Sequence, residues 1–208
     1  FATTLYLFGL AALGTLAVGG REMALCALAA CLLLLSAAME LGYEPLCAGI
    51  RQRYLFSIGL RTLALTVPLA DYFGKYLMAG VASNVVLQSL MIVMLGVHLA
   101  LFFALICFNR RQSPMLRALS GVLGVFPALT ASAAAALAVA NLAQPVGIAA
   151  AALLRALGAT GMFLGDRLMA ANALGGIRLK YESVWEWLLL CGGLTLMTVG
   201  AWLTAAPM

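Results

Sequence analysis

Asp166 stands in LGATGMFLGDRLMAAN after nine residues, Leu157 to Gly165, that carry no charge. Glu40 and Glu44 close another apolar run, in MELGYE, and Arg61 follows the start of a third. An ionisable side chain inside a membrane span costs on the order of 2.5–3.5 kcal/mol on insertion scales. Such residues face the interior of a bundle, pair with one another, and mark a binding site or a proton or ion path. The question for this chain is whether Asp166, Glu40, Glu44 and Arg61 meet.

Composition sets the medium in which they would do so. The 208 residues are 65% hydrophobic and 9% charged, with a mean hydropathy of +1.08. A soluble domain carries about 25% charged residues, so this much apolar surface calls for a bilayer. The net charge of +5 lies in short clusters between apolar runs. It therefore reports loop orientation rather than nucleic-acid binding. A bilayer core of about 30 Å takes about 20 helical residues. Seven runs fit: Leu5–Gly20, Met23–Leu41, Leu55–Tyr72, Val85–Phe108, Leu116–Leu142, Val146–Leu164 and Trp187–Ala205. The expected architecture is an all-α, polytopic transmembrane helix bundle forming one domain over residues 1–208, with a kink at Pro68 in the third span. Leu5–Gly20 lacks the basic flank and cleavage site of a signal peptide and reads as a first span.

Arg51, Arg53, Arg61, Arg110, Arg111, Arg117, Arg167, Arg178 and Lys180 fall at the even connections, and only Arg21 and Lys75 at the odd ones. This bias puts the even connections in the cytoplasm, with Tyr181, Trp185 and Trp187 at that interface. Span two then ends inside at Glu40 and Glu44. Span three enters past Arg61, and span six descends to Asp166. Four ionisable groups from three spans share one depth.

Other polar residues have plainer expectations. Arg155 lies eleven residues, three turns, before Asp166 and points the same way. Gly158, Gly161 and Gly165 between them read as a packing seam, with Gly161-x-x-x-Gly165 as its motif. Asp71 and Lys75 are an i, i+4 salt bridge. His98 is a hydrogen-bonded core histidine, and Asn109-Arg110-Arg111 a cytoplasmic anchor. Cys26, Cys31, Cys47, Cys107 and Cys191 are scattered small core residues. With one histidine and no C-x-x-C, no metal site is expected.

GATGMFLGDRLMAAN resembles the penultimate-helix motif of the YhhN-type, lysoplasmalogenase-like membrane proteins. Gly158, Ala159, Asp166, Leu168 and Ala170 match at the family's spacing, with Gly165 in place of the usual Ser. LGYEPLCAGIRQRYLFSIG is similar to a second family motif, whose Asp corresponds to Glu44, or to Tyr43 if Gly42 is aligned strictly. The family's Lys-Pro and the His of its following helix are absent. The family has eight spans, which would put one before Phe1.

The resemblance implies cleavage of the vinyl ether of a lysoplasmalogen-like lipid by two carboxyls. One delivers a proton to the vinyl carbon; the other stabilises the oxocarbenium-like centre and steers water. Asp166 and Glu44 would be that pair, with Glu40 as substitute. Arg61, Arg51 and Arg167 would hold the substrate phosphate at the cytoplasmic interface. No metal or organic cofactor is implied. The expected partner is a membrane lipid or lysolipid, not a nucleic acid, with a homo-oligomer left open. The expected location is the bacterial inner membrane. Two other classes stay open: a small-solute or ion transporter or channel, and a quinol-interacting membrane anchor subunit, to which MELGYEPLCAG has a similarity. A structural or sensory membrane domain without chemistry is a further alternative.

Overall fold

The computed structural model describes residues 20–42, 59–78, 85–107, 114–175 and 180–205, together with isolated helical positions at 5, 9, 12–14 and 16. No strand occurs among the described residues. The helices are α1 (Arg21–Gly42), α2 (Leu69–Met78), α3 (Val85–Leu101), α4 (Pro114–Leu123), α5 (Val125–Ala140), α6 (Val146–Ala170) and α7 (Glu182–Ala205). Residues 59–66 form a further helical segment before α2. Four stretches are long and apolar enough to cross a bilayer: Arg21–Ala38, Val85–Cys107, Pro114–Ala140 and Val146–Ala170, with Leu188–Thr204 as a shorter apolar helix. The chain is an all-helical membrane protein.

The helix ends follow from local chemistry. Gly20 precedes α1 at φ 96°, a left-handed conformation that only glycine takes without a Cβ penalty. Pro68 breaks the third span: residues 67 and 68 form a turn, and the helix resumes as α2 out to Met78. Asp71 and Lys75 therefore stand in the first and last turns of one helix. Pro114 opens α4, the position where a missing N–H costs nothing. Asn141 ends α5 by donating from Nδ2 to the Leu137 carbonyl at 2.7 Å. Pro145, extended at ψ 145°, leads into α6.

Two expectations change. The run Leu116–Leu142 is two helices, interrupted at Gly124 three residues before Pro127. Proline has no N–H to give to the carbonyl four residues back, and its ring crowds that carbonyl. The sixth span continues beyond Leu164 to Ala170 and then into a π-helical turn, Ala171–Gly175. Asp166 and Arg167 are thus held in regular helix rather than at its fraying end. A second π-helical turn, Phe102–Cys107, extends α3.

Helix α6 packs chiefly on α7 and next on α5; α5 also carries α3 and α2, and α1 lies on α7. Small residues allow the closest of these approaches. A Cβ at Gly158 would meet the Gly193 carbonyl, one at Gly193 the Gly158 carbonyl, and one at Gly200 the Ala151 carbonyl. Ala151, Gly158 and Gly165 recur every seven residues, as do Gly193 and Gly200. A seven-residue period keeps one seam in register along two left-handed crossing helices. A Cβ built on Gly161, by contrast, would lie at ordinary contact distance, 3.5 Å from the Leu189 carbonyl. The seam is real, but its spacing is seven rather than the four of Gly161 and Gly165.

The α5 hydroxyls are spent locally, as a bilayer requires. Thr130 donates to the Phe126 carbonyl at 3.0 Å and Ser132 to the Ala128 carbonyl at 2.7 Å. Thr195 and Thr198 of α7 do the same to Cys191 and Leu194.

Candidate functional site: two ionic layers on one helix

Helix α6 carries two buried arginines, Arg155 and Arg167, each about 5% exposed or less. At a rise of 1.5 Å per residue, their Cα atoms are roughly 18 Å apart along the axis. Each arginine organises a layer of polar groups, and the two layers are built differently.

In the layer at the C-terminal end of α6, Arg167 forms an ion pair with its neighbour Asp166. Nη2 and Nε both engage Oδ2, the latter at 3.1 Å. Nη1 donates to the Ser120 carbonyl at 3.2 Å and lies 3.4 Å from His98 Nδ1. His98 Nε2 lies 2.8 Å from the Gly121 carbonyl. A carbonyl only accepts and a guanidinium only donates. His98 is therefore the neutral tautomer with its proton on Nε2 and its lone pair on Nδ1. As expected, it is a hydrogen-bonded core histidine, wholly buried. Both carbonyls lie in the last turn of α4, just before the break at Gly124. A Cβ at Gly124 would overlap the Arg167 guanidinium and the His98 ring, so glycine there makes room for the charge.

Arg61 reaches the same layer, with Nη1 donating to Met169 Sδ at 3.3 Å. Met169 lies three residues from Asp166 on α6, so Arg61 and Asp166 share a level, as the depth argument expects. Glu44 and Arg51 lie outside the described residues, and Glu40 is described only as a helical position of α1. Arg167, expected to hold a phosphate, is instead committed to Asp166, Ser120 and His98.

The opposite layer was not foreseen as a unit. Arg155 forms an ion pair with Glu22 of α1, and its Nε donates to the Ala151 carbonyl at 3.2 Å. Glu22 also pairs with Lys75 and accepts from Thr204 Oγ1 at 3.1 Å. Lys75 Nζ lies 2.9 Å from Asp71 Oδ2, which fulfils the expected i, i+4 bridge, and Arg21 Nε lies 3.3 Å from Asp71 Oδ1. Two carboxylates on α1 and α2 are thus shared among three cations. The link from Arg155 to Glu22 spans 133 residues, and no local spacing announces it. The one available signal was that Arg155 is an intramembrane cation with no acid on its own helix near it, which obliges another span to supply one.

Cavities accompany both layers. An apolar hollow of about 660 Å³ runs between segment 59–66, α2, α3 and α5, from Gly59 through Thr62 and Met91 to Phe73. Its wall includes Leu123 and Phe126 but not Asp166, Arg167 or His98. A polar hollow of about 390 Å³ opens beside Glu22, Asp71 and Lys75. Between the layers, a hollow of only about 10 Å³ is walled by Pro68, Pro127, Thr130, Met162 and Met197. No cluster of metal-ligating side chains occurs among the described residues. Comparison of the chain with models of known families, with curated proteins and with solved structures finds no match in any of the three.

Proposed function

We propose that this chain is a seven-span protein of the bacterial inner membrane that hydrolyses the vinyl ether of a single-tailed, lysoplasmalogen-like lipid. The observation that carries the reading is the 660 Å³ apolar hollow lined in part by segment 59–66, the same segment whose Arg61 reaches Met169, three residues from Asp166. Its size falls within the range of small-molecule sites, about 300–1,000 Å³. It would take the hydrocarbon tail and bring the vinyl ether to the level of Asp166. Arg61, at that level, and Arg51 would meet the phosphate.

The ion pair with Arg167 gives Asp166 the part of the negative pole. Its partner carboxyl, Glu44 or in its place Glu40, would deliver the proton. Protonation of the vinyl carbon remote from oxygen leaves an oxocarbenium-like carbon, which Asp166 would stabilise. Water adds to that carbon, the carboxyl recovers its proton, and the hemiacetal collapses to a fatty aldehyde and the glycerophospho-alcohol. Arg167 would act through Asp166, fixing its orientation rather than binding substrate.

The test is aldehyde release from a lysoplasmalogen by purified protein, beside Asp166→Asn and Glu44→Gln. A loss of at least a hundredfold in each is expected, and full activity in both would remove the mechanism. A solute transporter would also place charges at both ends of a bundle. Between the layers, however, the described residues leave at Thr130 and Met162 a hollow of only about 10 Å³, about the volume of one water probe. Solute flux into proteoliposomes without lipid hydrolysis would favour that alternative.

A further inference from the structure

The apolar hollow of about 660 Å³ carries one polar group that the hydrolysis above does not use. Its wall holds two hydroxyl residues, Thr62 and Thr66, one helical turn apart on segment 59–66. Thr66 Oγ1 is spent locally, 2.9 Å from the Thr62 and Leu63 carbonyls. The hydroxyls of Thr130, Ser132, Thr195 and Thr198 are likewise spent on the carbonyl four residues back. Thr62 differs. It is 5% exposed, and its Oγ1 is buried without a hydrogen-bond partner. Ser120 Oγ is in the same state but belongs to no part of this wall.

A buried hydroxyl left unpaired is costly, and valine would give the same shape without that cost. The group therefore points to a partner that enters the hollow. A hydroxyl has a single proton to donate. Apart from the two threonines, the wall is apolar. A ligand bringing an O–H or N–H of its own would leave a second donor to satisfy there. A ligand bringing one acceptor oxygen and no donor would leave none.

We infer that the hollow is a binding site for a long-chain carbonyl compound, with Thr62 Oγ1 donating to the carbonyl oxygen and the alkyl chain running past Leu69 toward Phe73. From Thr62 to Phe73 the helical path is roughly 16 Å at 1.5 Å per residue, a length suited to a chain rather than a compact ring. Oγ1 is covered as the side chain stands; a turn of χ1, for which helical threonine has two positions, brings it to the ligand. The inference concerns binding alone. The fatty aldehyde of the proposed hydrolysis is one member of the class, and a carbonyl compound that cannot be hydrolysed binds as well.

The experiment uses the purified full chain in detergent and a long-chain methyl ketone carrying a diazirine near the far end of its chain. Photolabelling is expected to saturate and, by mass spectrometry of the peptides, to fall on residues of the hollow. Unlabelled 2-hexadecanone is expected to suppress it about five- to tenfold more effectively than hexadecane, the worth of one hydrogen bond. Thr62→Val is expected to erase that preference, leave displacement by hexadecane unchanged, and keep or raise the melting temperature of the unliganded protein. Leu129→Trp fills the hollow and is expected to abolish saturable labelling. Equal displacement by ketone and alkane, a preference that survives Thr62→Val, or a melting temperature lowered by several degrees in Thr62→Val overturns the proposal. Ketone preference without aldehyde release from a lysoplasmalogen removes the hydrolysis alone; aldehyde release without ketone preference removes this inference alone.

Discussion

Arg155 and Arg167 share a helix and a degree of burial, yet their charges are balanced in opposite ways. Arg167 has a private counter-ion, the adjacent Asp166, and spends its remaining donors on the Ser120 carbonyl and His98. A methyl group on Gly124 would overlap the Arg167 guanidinium and the His98 ring unless they shift. Arg155 instead joins a shared network, in which Glu22 and Asp71 are each held by more than one cation and a hollow lies alongside. A private pair is rigid but has no substitute when one partner is lost. A shared network tolerates the loss of one member.

Removing one member of each layer would break the comparison most directly. Arg167→Met leaves Asp166 buried without its cation, and breaking a buried pair in this way costs about 3–5 kcal/mol. Restoring neutrality with Asp166→Asn in the same chain is expected to recover most of that loss. A double-mutant cycle read by unfolding in detergent checks it; additive losses would show that the two residues are not a unit. Gly124→Ala attacks the same layer sterically. Its methyl overlaps Arg167 and His98, and overpacking of this kind costs about 1–3 kcal/mol. A stabilised Gly124→Ala protein, as plain helix propensity would give, would show that the layer can relax.

Arg155→Met is expected to cost less, about 1.5–3 kcal/mol, the range for a lost hydrogen bond to a charged group. Glu22 keeps Lys75 and Thr204 after the change, whereas Asp166 would keep no cation partner among the described residues. The same unfolding measurement decides the order. If Arg155→Met proves as damaging as Arg167→Met, the outer network is not shared in the energetic sense.

How much of this was legible follows the range of each contact. Asp71 and Lys75 are four apart, and one helical turn brings them together whatever the rest of the chain does. His98 in a long apolar run had to find hydrogen bonds inside the bundle, and Pro68 had to interrupt its helix. The level shared by Arg61 and Asp166 came from counting residues inward from loop charges. Glu22 could not be read as the partner of Arg155, because a turn-forming Gly-Gly-Arg-Glu gives no sign of which distant span it will cover. The interruption at Gly124 was legible in principle from Pro127 but was hidden by the unbroken apolarity around it. Gly158, Gly161 and Gly165 are legible as a stripe of small residues; the place of Ala151 in it, and its period of seven, become clear only against Gly193 and Gly200 of α7.

The smallest expected effect concerns salt. Arg21 is 76% exposed and lies 3.3 Å from Asp71, so their attraction acts partly through solvent. The Debye length falls from about 8 Å at physiological ionic strength to about 3 Å at 1 M, and exposed pairs are worth at most about 1 kcal/mol to begin with. Raising sodium chloride to 1 M is thus expected to lower stability by a few tenths of a kcal/mol through the outer layer alone. The Arg167 and Asp166 side chains are only 4% and 6% exposed, so salt screens that pair far less. The difference is read by repeating the salt series on Arg21→Gln, in which the salt dependence should shrink, and on the Asp166→Asn/Arg167→Met pair, in which it should stay. A salt response that vanishes in the second protein would place the screened charges in the wrong layer and undo the distinction between a closed pair and an open network.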